Sequence, residues 1–289
     1  MVSPIRFDQI FTLDTPPLSA RYIPHHTDTT LHSHEFSELV IVLHGSGVHI
    51  SPAGDYPIHA GDVFVLHGEQ AHGYRNTEDL GLVNILFRLD ELAMPLLDIV
   101  SMPGYHALFT LEPLFRHRDS FESRLRLTPE QLSLIGELAQ QMVREDSSQT
   151  PGRQFTAMAY FMLIIADLSR YYSHMEDVTA QPLLRLGRVI GFLQQHYAEY
   201  ITLDELSSVG CMSRRSLTRE FKKAMNCSPM DYLLNLRINH AKELLRDRNL
   251  SITEVAFRVG FQDSNYFTRQ FHALVGCRPR DLRSWPVMR

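Results

Sequence analysis

The chain has 289 residues, 44% of them hydrophobic and 21% charged, ample for two domains with real cores and ordinary for a globular protein. Its longest apolar stretch, Phe155 to Ile165, is too short to cross a bilayer, and no apolar run follows Met1 to Arg6, so neither a membrane span nor a secretory signal is expected. The net charge of −5 conceals an asymmetry: residues 1–181 hold 11 Lys+Arg against 23 Asp+Glu, and residues 182–289 hold 17 against 10. A basic C-terminal part points to nucleic acid as its partner. Cys211, Cys227 and Cys277 show no metal spacing and read as small buried residues in a reducing cytoplasm.

Residues 1–20 read as an N-terminal arm, and β structure follows. Leu39-Val40-Ile41-Val42-Leu43, Val48-His49-Ile50, Asp62-Val63-Phe64-Val65-Leu66 and Leu82-Val83-Asn84-Ile85-Leu86-Phe87 are short runs of β formers. Gly45-Ser46-Gly47, Pro52-Ala53-Gly54-Asp55 and Ala60-Gly61-Asp62 punctuate them. Short strands with glycine turns predict a barrel or sandwich over residues 21–127.

A histidine constellation sits on these strands. Side chains alternate along a strand, so His32, His34 and Glu38 are expected on one face of one strand. They fit the cupin pattern His-x-His-x3-Glu-x6-Gly, ending at Gly45. The second cupin motif is partly present as Gly61, His72 and Asn76, with His67 and Glu69 replacing its proline and second glycine. The resemblance implies a jelly roll that gathers His32, His34, Glu38 and His72. Three imidazoles and a carboxylate suit Zn, Fe, Mn or Ni with positions open for a ligand; they equally suit mutual hydrogen bonds or an organic ligand. Asn84, polar in an apolar strand, is either an effector contact or a satisfied core group. His25, His26, His44, His49 and His59 read as surface or loop residues.

Residues 128–174 form a helical segment. Thr128-Pro129-Glu130-Gln131 offers a cap, a proline at the first helical position and a side chain that reaches back. Leu132, Ile135, Ala139 and Met142 then make an apolar stripe. A second helix, about Arg153 to Tyr172, carries Phe155, Met158, Met162, Ile165 and Leu168. Two such helices cover the barrel or pair two subunits. Residues 175–183, polar and acidic with Pro182 expected to break any helix, read as a linker, and Leu183 to Tyr200 as a helix supporting the last domain, residues 184–289.

That domain is written twice. Ser213 to Asp231 slides onto Asp263 to Asp281 with six of 19 positions identical, at an offset of 50. Ahead of the turn, Leu206-Ser207 falls on Val255-Ala256 at an offset of 49, so the second copy has one extra turn residue. Thr202…Glu205 and Ser251…Glu254 are capping boxes, and Val209-Gly210 and Val259-Gly260 supply glycines for a left-handed turn. The next helix buries Leu217, Phe221 and Ala224 in the first copy and Phe267, Phe271 and Leu274 in the second. Its outer face carries Ser213, Arg214, Arg215, Thr218, Arg219 and Lys222, then Asp263, Ser264, Asn265, Thr268 and Arg269. Such groups read base edges and grip phosphates. Ser228-Pro229 starts a connecting helix of about 17 residues, a rod of roughly 25 Å at 1.5 Å per residue. Neighbouring major grooves lie about 34 Å apart on one DNA face, so two units on this rod suit successive groove segments.

Leu206-Ser207, Ser213, Leu217, Arg219, Phe221 and Pro229, then Ile252, Val255-Ala256, Gly260-Phe261, Asp263-Ser264-Asn265-Tyr266-Phe267, Arg269, Phe271 and Pro279 resemble the C-terminal domain of AraC/XylS-family transcription regulators. Asn226-Cys227 and Gly276-Cys277 depart from the family's usual glycine without an expected effect, since Asn also tolerates the left-handed conformation. His32 to Val42 followed by Gly45-Ser46-Gly47 resembles the effector domain of AraC-type sugar regulators, the rhamnose-responsive ones in particular. The resemblance implies a cytoplasmic homodimer that binds double-stranded promoter DNA, answers a sugar such as L-rhamnose and meets RNA polymerase as an activator, with His32, His34, Glu38, His72 and Asn84 as effector contacts. The alternatives are a regulator with a structural or metal-sensing cupin, or a metal-dependent cupin enzyme, which leaves the duplication unexplained.

Overall fold

The strands are β1 (Leu18–Ile23), which starts inside the expected arm, β2 (Thr29–His32), β3 (Ser37–Ser51), which joins the runs Leu39–Leu43 and Val48–Ile50 through the expected Gly45-Ser46-Gly47 break, β4 (Gly54–His59), β5 (Asp62–His67), β6 (His72–Phe87) and the two-residue β7 (Leu125–Arg126). The computed structural model describes residues 4–11, 16–68, 70–116 and 125–284; Glu69 and parts of the arm, residues 1–3 and 12–15, lie outside them. β3 and β6 pair antiparallel from Ser37↔Phe87 to Ile50↔Gly73, with register shifts between Val42 and Val48. Such irregularities bend strands, and the two ends of each strand take different neighbours. The first half of β3 pairs with β5 and the second with β4; β6 pairs first with β2 and then with β1. The sheet folds over on itself around Val40, Val42, Ile58, Phe64, Leu66, Tyr74, Leu80 and Leu82, a jelly-roll interior. Gly45 sits in the bend at φ +73, where any Cβ would collide with the Asp79 carbonyl. Only glycine fits there.

The outer face of the sheet is helical. A helical run that the sequence pattern did not suggest follows β6: α1 (Pro103–Tyr105), a π-type stretch His106–Leu111 and α2 (Glu112–Arg116). Thr128 then caps α3 (Pro129–Ser147) in a full capping box with Gln131, and α4 (Arg153–Ser173) follows. Ile135, Ala139 and Met142 of α3 are buried as expected. Of the expected stripe of α4, Ile165 and Leu168 are buried; Ala157, Phe161, Ile164 and Tyr172 are buried with them, the Phe161 ring 5.2 Å from that of Phe87, while Met158 and Met162 are half-buried and Phe155 is 81% exposed. Pro182 breaks no helix. It is the second residue of α5 (Gln181–His196), where its missing N–H costs nothing. The chain divides into two compact units, Met1–Gly187 and Arg188–Arg289, the division falling inside α5. Among the described residues no helix is long and apolar enough to cross a membrane.

The second unit continues with α6 (Leu203–Val209), α7 (Arg214–Met225), α8 (Pro229–Leu244), α9 (Ile252–Arg258), α10 (Ser264–Val275) and α11 (Pro279–Ser284). The repeat is exact in length: α6 and α9 have seven residues each, α7 and α10 twelve. Thr202, Ser213, Ser228, Ser251 and Asp263 cap their helices; of the two boxes expected ahead of α6 and α9, only Ser251/Glu254 is reciprocal. Asn226 and Gly276 end α7 and α10 at φ +58 and +83. α8 contributes Ile238 and Ala241, and its C-cap residue Leu245 joins them, in a core with Val255, Ala256, Val259, Phe261, Phe267 and Phe271. Leu274, expected inside, is 46% exposed. The thiols are not core residues either, since Cys211 is exposed and Cys227 and Cys277 are half-buried.

Candidate functional site

The histidine constellation converges, but not along one strand. His32 ends β2, Glu38 lies in β3, and His34 sits in the connection, bridged to Ile5. The break at residues 33–36 turns His34 inward, and the fold brings His72 from the start of β6. His34, Glu38 and His72 are 2%, 4% and 1% exposed, and their ligand atoms lie within 4.8 Å of one another. His34 Nε2 is 3.0 Å and His72 Nε2 3.5 Å from Glu38 Oε2.

The opposite edges of the rings decide what this cluster can do. His34 Nδ1–H donates to the Phe36 carbonyl (2.6 Å) and His72 Nδ1–H to the Gln70 carbonyl (3.2 Å). A neutral imidazole has one N–H, so a neutral ring in either place turns an Nε2 lone pair on the Glu38 carboxylate. That arrangement is repulsive unless the ring is protonated or a cation lies between. Carbonyls holding Nδ1–H while Nε2 points inward is how proteins orient metal-ligating histidines. The donor set, two imidazoles and a carboxylate, fits a first-row divalent metal. Burial alone would raise the Glu38 carboxyl; with His34 and His72 protonated, hydrogen bonds donated by their Nε2 atoms would hold it far below the usual range.

His32 stands at the edge. Its Nδ1–H goes to the Thr30 carbonyl (3.2 Å), its ring lies 4.4 Å from that of His72, and burial, then His72, keeps it less basic than usual. It is outside the tight triad. His49, expected at the surface, is 1% exposed and stacks parallel to His72 at 5.8 Å. Tyr74 fills the next inward position of β6, 2% exposed, its hydroxyl made less acidic by burial and then by Glu38. Period-two alternation from His72 was the signal that could have found Tyr74. Asn84 pairs with Val40 of the interior and so shares its face.

In the second unit, Arg215, Arg219 and Lys222 of α7 and Asn265 and Arg269 of α10 are exposed, and Ser264 is half-buried. Their neighbours divide them. Arg214 is tied bidentately to Asp204 of α6, and Arg219 pairs with Glu220 at 2.8 Å. Ser213 and Asp263 use their side chains as helix caps. Thr218 and Thr268 donate back to the Arg214 and Ser264 carbonyls, each at 2.9 Å. Gln262 and His272, which sequence reasoning left out, are exposed beside these groups.

Known proteins agree with both halves. A family model described as an AraC-like ligand binding domain matches residues 16–165, and one described as a helix-turn-helix domain matches residues 206–284. The HTH-type transcriptional activator RhaS of Shigella boydii is 29% identical over 252 residues, 87% of this chain and 86% of that protein. The Escherichia coli activator of the same name matches with the same identity and coverage. The solved DNA-binding domain of AdpA, a global transcriptional factor in complex with a target DNA, is 28% identical, covers 35% of this chain and 90% of that one, and has a TM-score of 0.34. The chain belongs to the AraC family of DNA-binding transcription regulators, with an AraC-like ligand binding domain ahead of its helix-turn-helix domain.

Proposed function

We propose that this regulator is an activator whose jelly roll binds a small polyhydroxylated effector, a sugar such as L-rhamnose. One observation carries the proposal: the Tyr74 hydroxyl and Asn84 Oδ1 are buried on the interior face with no hydrogen-bond partner among the described residues. A buried unsatisfied polar atom costs about 1–3 kcal/mol. A hydroxyl can donate to Asn84 Oδ1 and another can accept from Tyr74, and a sugar supplies both. The resemblance of His32 to Val42 and Gly45-Ser46-Gly47 to rhamnose-responsive regulators makes rhamnose the first sugar to try. His34, Glu38 and His72, with His32 at the rim, would hold Zn, Fe, Mn or Ni; such a metal supplies a Lewis-acid anchor for ligand oxygens.

On DNA, Arg215, Lys222, Asn265 and Arg269 are assigned to direct contact with promoter grooves and phosphates, with Arg219 and Ser264 beside them. Arg214 orients α7 through Asp204, Ser213 and Asp263 set the helix starts, and Thr218 and Thr268 line the same faces. The outward side chains Phe155 and Leu163 of α4, with Leu97 at 75% exposure nearby, favour pairing of two copies of the chain. RNA polymerase is the further partner of an activator.

The test is thermal denaturation of the full-length protein with a sugar panel and divalent metals, with and without chelator. A sugar-dependent rise that Asn84→Leu abolishes supports the effector assignment. No shift with any sugar overturns it. Metal alone raising the melting temperature favours the second reading, a metal-sensing barrel, which rests on the inward-turned imidazoles.

A further inference from the structure

Ile10, Phe11, Pro16 and the start of β1, with the α3–α4 hairpin, line a crevice that the barrel assignment does not use. Ile10, Phe11 and Leu18 line one wall; Asp146, Arg153 and Gln154 line the other. Its volume is about 300 Å³, the lower end of the range for small-molecule sites.

The charged groups here do not cancel each other. Asp146 Oδ2 accepts from Ser19 Oγ (2.9 Å) and from the Ala20 N–H (3.0 Å), closing the free edge of β1. Arg153 donates through Nη1 to the main-chain carbonyl of Asp146 (3.0 Å), not to its carboxylate. Among the described residues, the rest of the guanidinium and Asp146 Oδ1 have no partner. A fixed cation and a fixed anion therefore stand side by side, facing an apolar wall.

We infer that this crevice is a second small-molecule site, for a carboxylate that carries a hydrogen-bond donor on the adjacent carbon: a hydroxy acid or an amino acid. The planar guanidinium of Arg153 takes the carboxylate. Asp146 Oδ1 accepts from the hydroxyl or ammonium, and Ile10, Phe11 and Leu18 cover the aliphatic remainder. A bound molecule touches both Ile10, Phe11 and Leu18 and the α3–α4 hairpin. The inference stands independently of what the barrel binds.

Isothermal titration of the full-length protein tests it. The probes are hydroxy acids from L-lactate to D-gluconate, amino acids from L-alanine to L-leucine, and the donor-free carboxylates acetate and isovalerate. At least one hydroxy or amino acid is expected to bind saturably, about tenfold or more tighter than either donor-free acid; which series binds separates the two sources. Arg153→Gln and Gln154→Glu, the latter an exposed substitution that sets a negative charge at the crevice, should each weaken binding about tenfold or more. The melting temperature of Gln154→Glu checks that the variant is folded. No binding by any probe, equal binding of the donor-free acids, or undiminished binding in both variants overturns the inference.

Discussion

Cys211 and Gly260 hold the same left-handed position in the two helix-turn-helix units, at φ +49 and +91. Gly210, the glycine expected to turn the first unit, stays right-handed at φ −77. The hydrogen bonds follow the same register, Met212 N–H to the Ser207 carbonyl and Phe261 N–H to the Ala256 carbonyl, both at 3.0 Å. One residue, Met212, then leads to the cap Ser213; two, Phe261 and Gln262, lead to the cap Asp263. The extra residue of the second copy thus lies between the left-handed turn and the cap of the DNA-facing helix.

A thiol-bearing residue in this conformation is strained. Left-handed backbone costs an L-residue about 1–2 kcal/mol, and glycine returns about 0.4–1 kcal/mol of that as unfolded-chain entropy. Cys211→Gly should therefore raise stability by about 0.5–1 kcal/mol. Gly260→Ala should cost about 2–3 kcal/mol, because it adds strain and sets a Cβ 2.7 Å from the Ala198 carbonyl. Urea denaturation of the two variants reads both signs, and a Cys211→Gly variant that loses stability would show that the position is not strained.

The same comparison shows what was legible in the sequence. Strands and caps were, because β-branched runs and Ser/Thr/Asp before a helix act through local backbone chemistry. Position along a bent strand was not: the irregularities between Val42 and Val48 set which side of β3 faces inward, and His49 falls inside. His34 and Glu38 keep strand-like spacing across the break between β2 and β3, where His34 is bridged to Ile5. α4 is apolar on more than one side, so Phe155/Met158/Met162 and Ala157/Phe161/Ile164 both continue to the buried Ile165 and Leu168 with helical period. Contact with Phe87 selects the second.

Binding of promoter DNA should separate the arginines of α7. Arg215→Ala, a phosphate-type contact, is expected to weaken binding uniformly across sequences and to lower the salt slope by about 1. Arg219→Ala and Arg269→Ala should each cost about 1–3 kcal/mol with relaxed sequence preference if they reach bases. Arg214→Ala should cost less than either, since Asp204 already holds its guanidinium. Fluorescence anisotropy at several salt concentrations distinguishes these patterns; unchanged affinity in both Arg219→Ala and Arg269→Ala refutes the assignment of these faces.

In the barrel, Glu38→Gln keeps the side chain's size and removes the anion that both imidazoles face. Zinc or nickel at about 100 times its dissociation constant should stabilise the wild-type protein by about 2.7 kcal/mol, reversed by chelator. The variant should lose most of that gain. A wild-type melting temperature that neither metal nor chelator moves would mean that protonation, not a metal, satisfies the inward ring nitrogens.

His106 makes a pH dependence with a definite sign. It lies in the π-type stretch, 3% exposed; Nε2–H donates to the Val100 carbonyl (2.6 Å) and Nδ1 has no partner among the described residues. Burial, opposed by the Val100 bond, lowers its pKa from 6.5 to about 4, so the folded chain excludes a proton that the unfolded chain accepts. The neutral ring's contribution is present in full above pH 6.5 and is lost as pH falls through that value towards about 4. At about 1.4 kcal/mol per pH unit the loss reaches about 3 kcal/mol. His106→Gln retains an N–H donor and cannot titrate. Other carboxylates and histidines titrate in both proteins, so the quantity to measure is the stability difference between wild type and variant by urea denaturation. It should favour wild type at pH 7 and shift towards the variant by about 3 kcal/mol near pH 4. A difference that stays constant across that window would show that His106 accepts its proton without cost, through an acceptor or water reaching Nδ1.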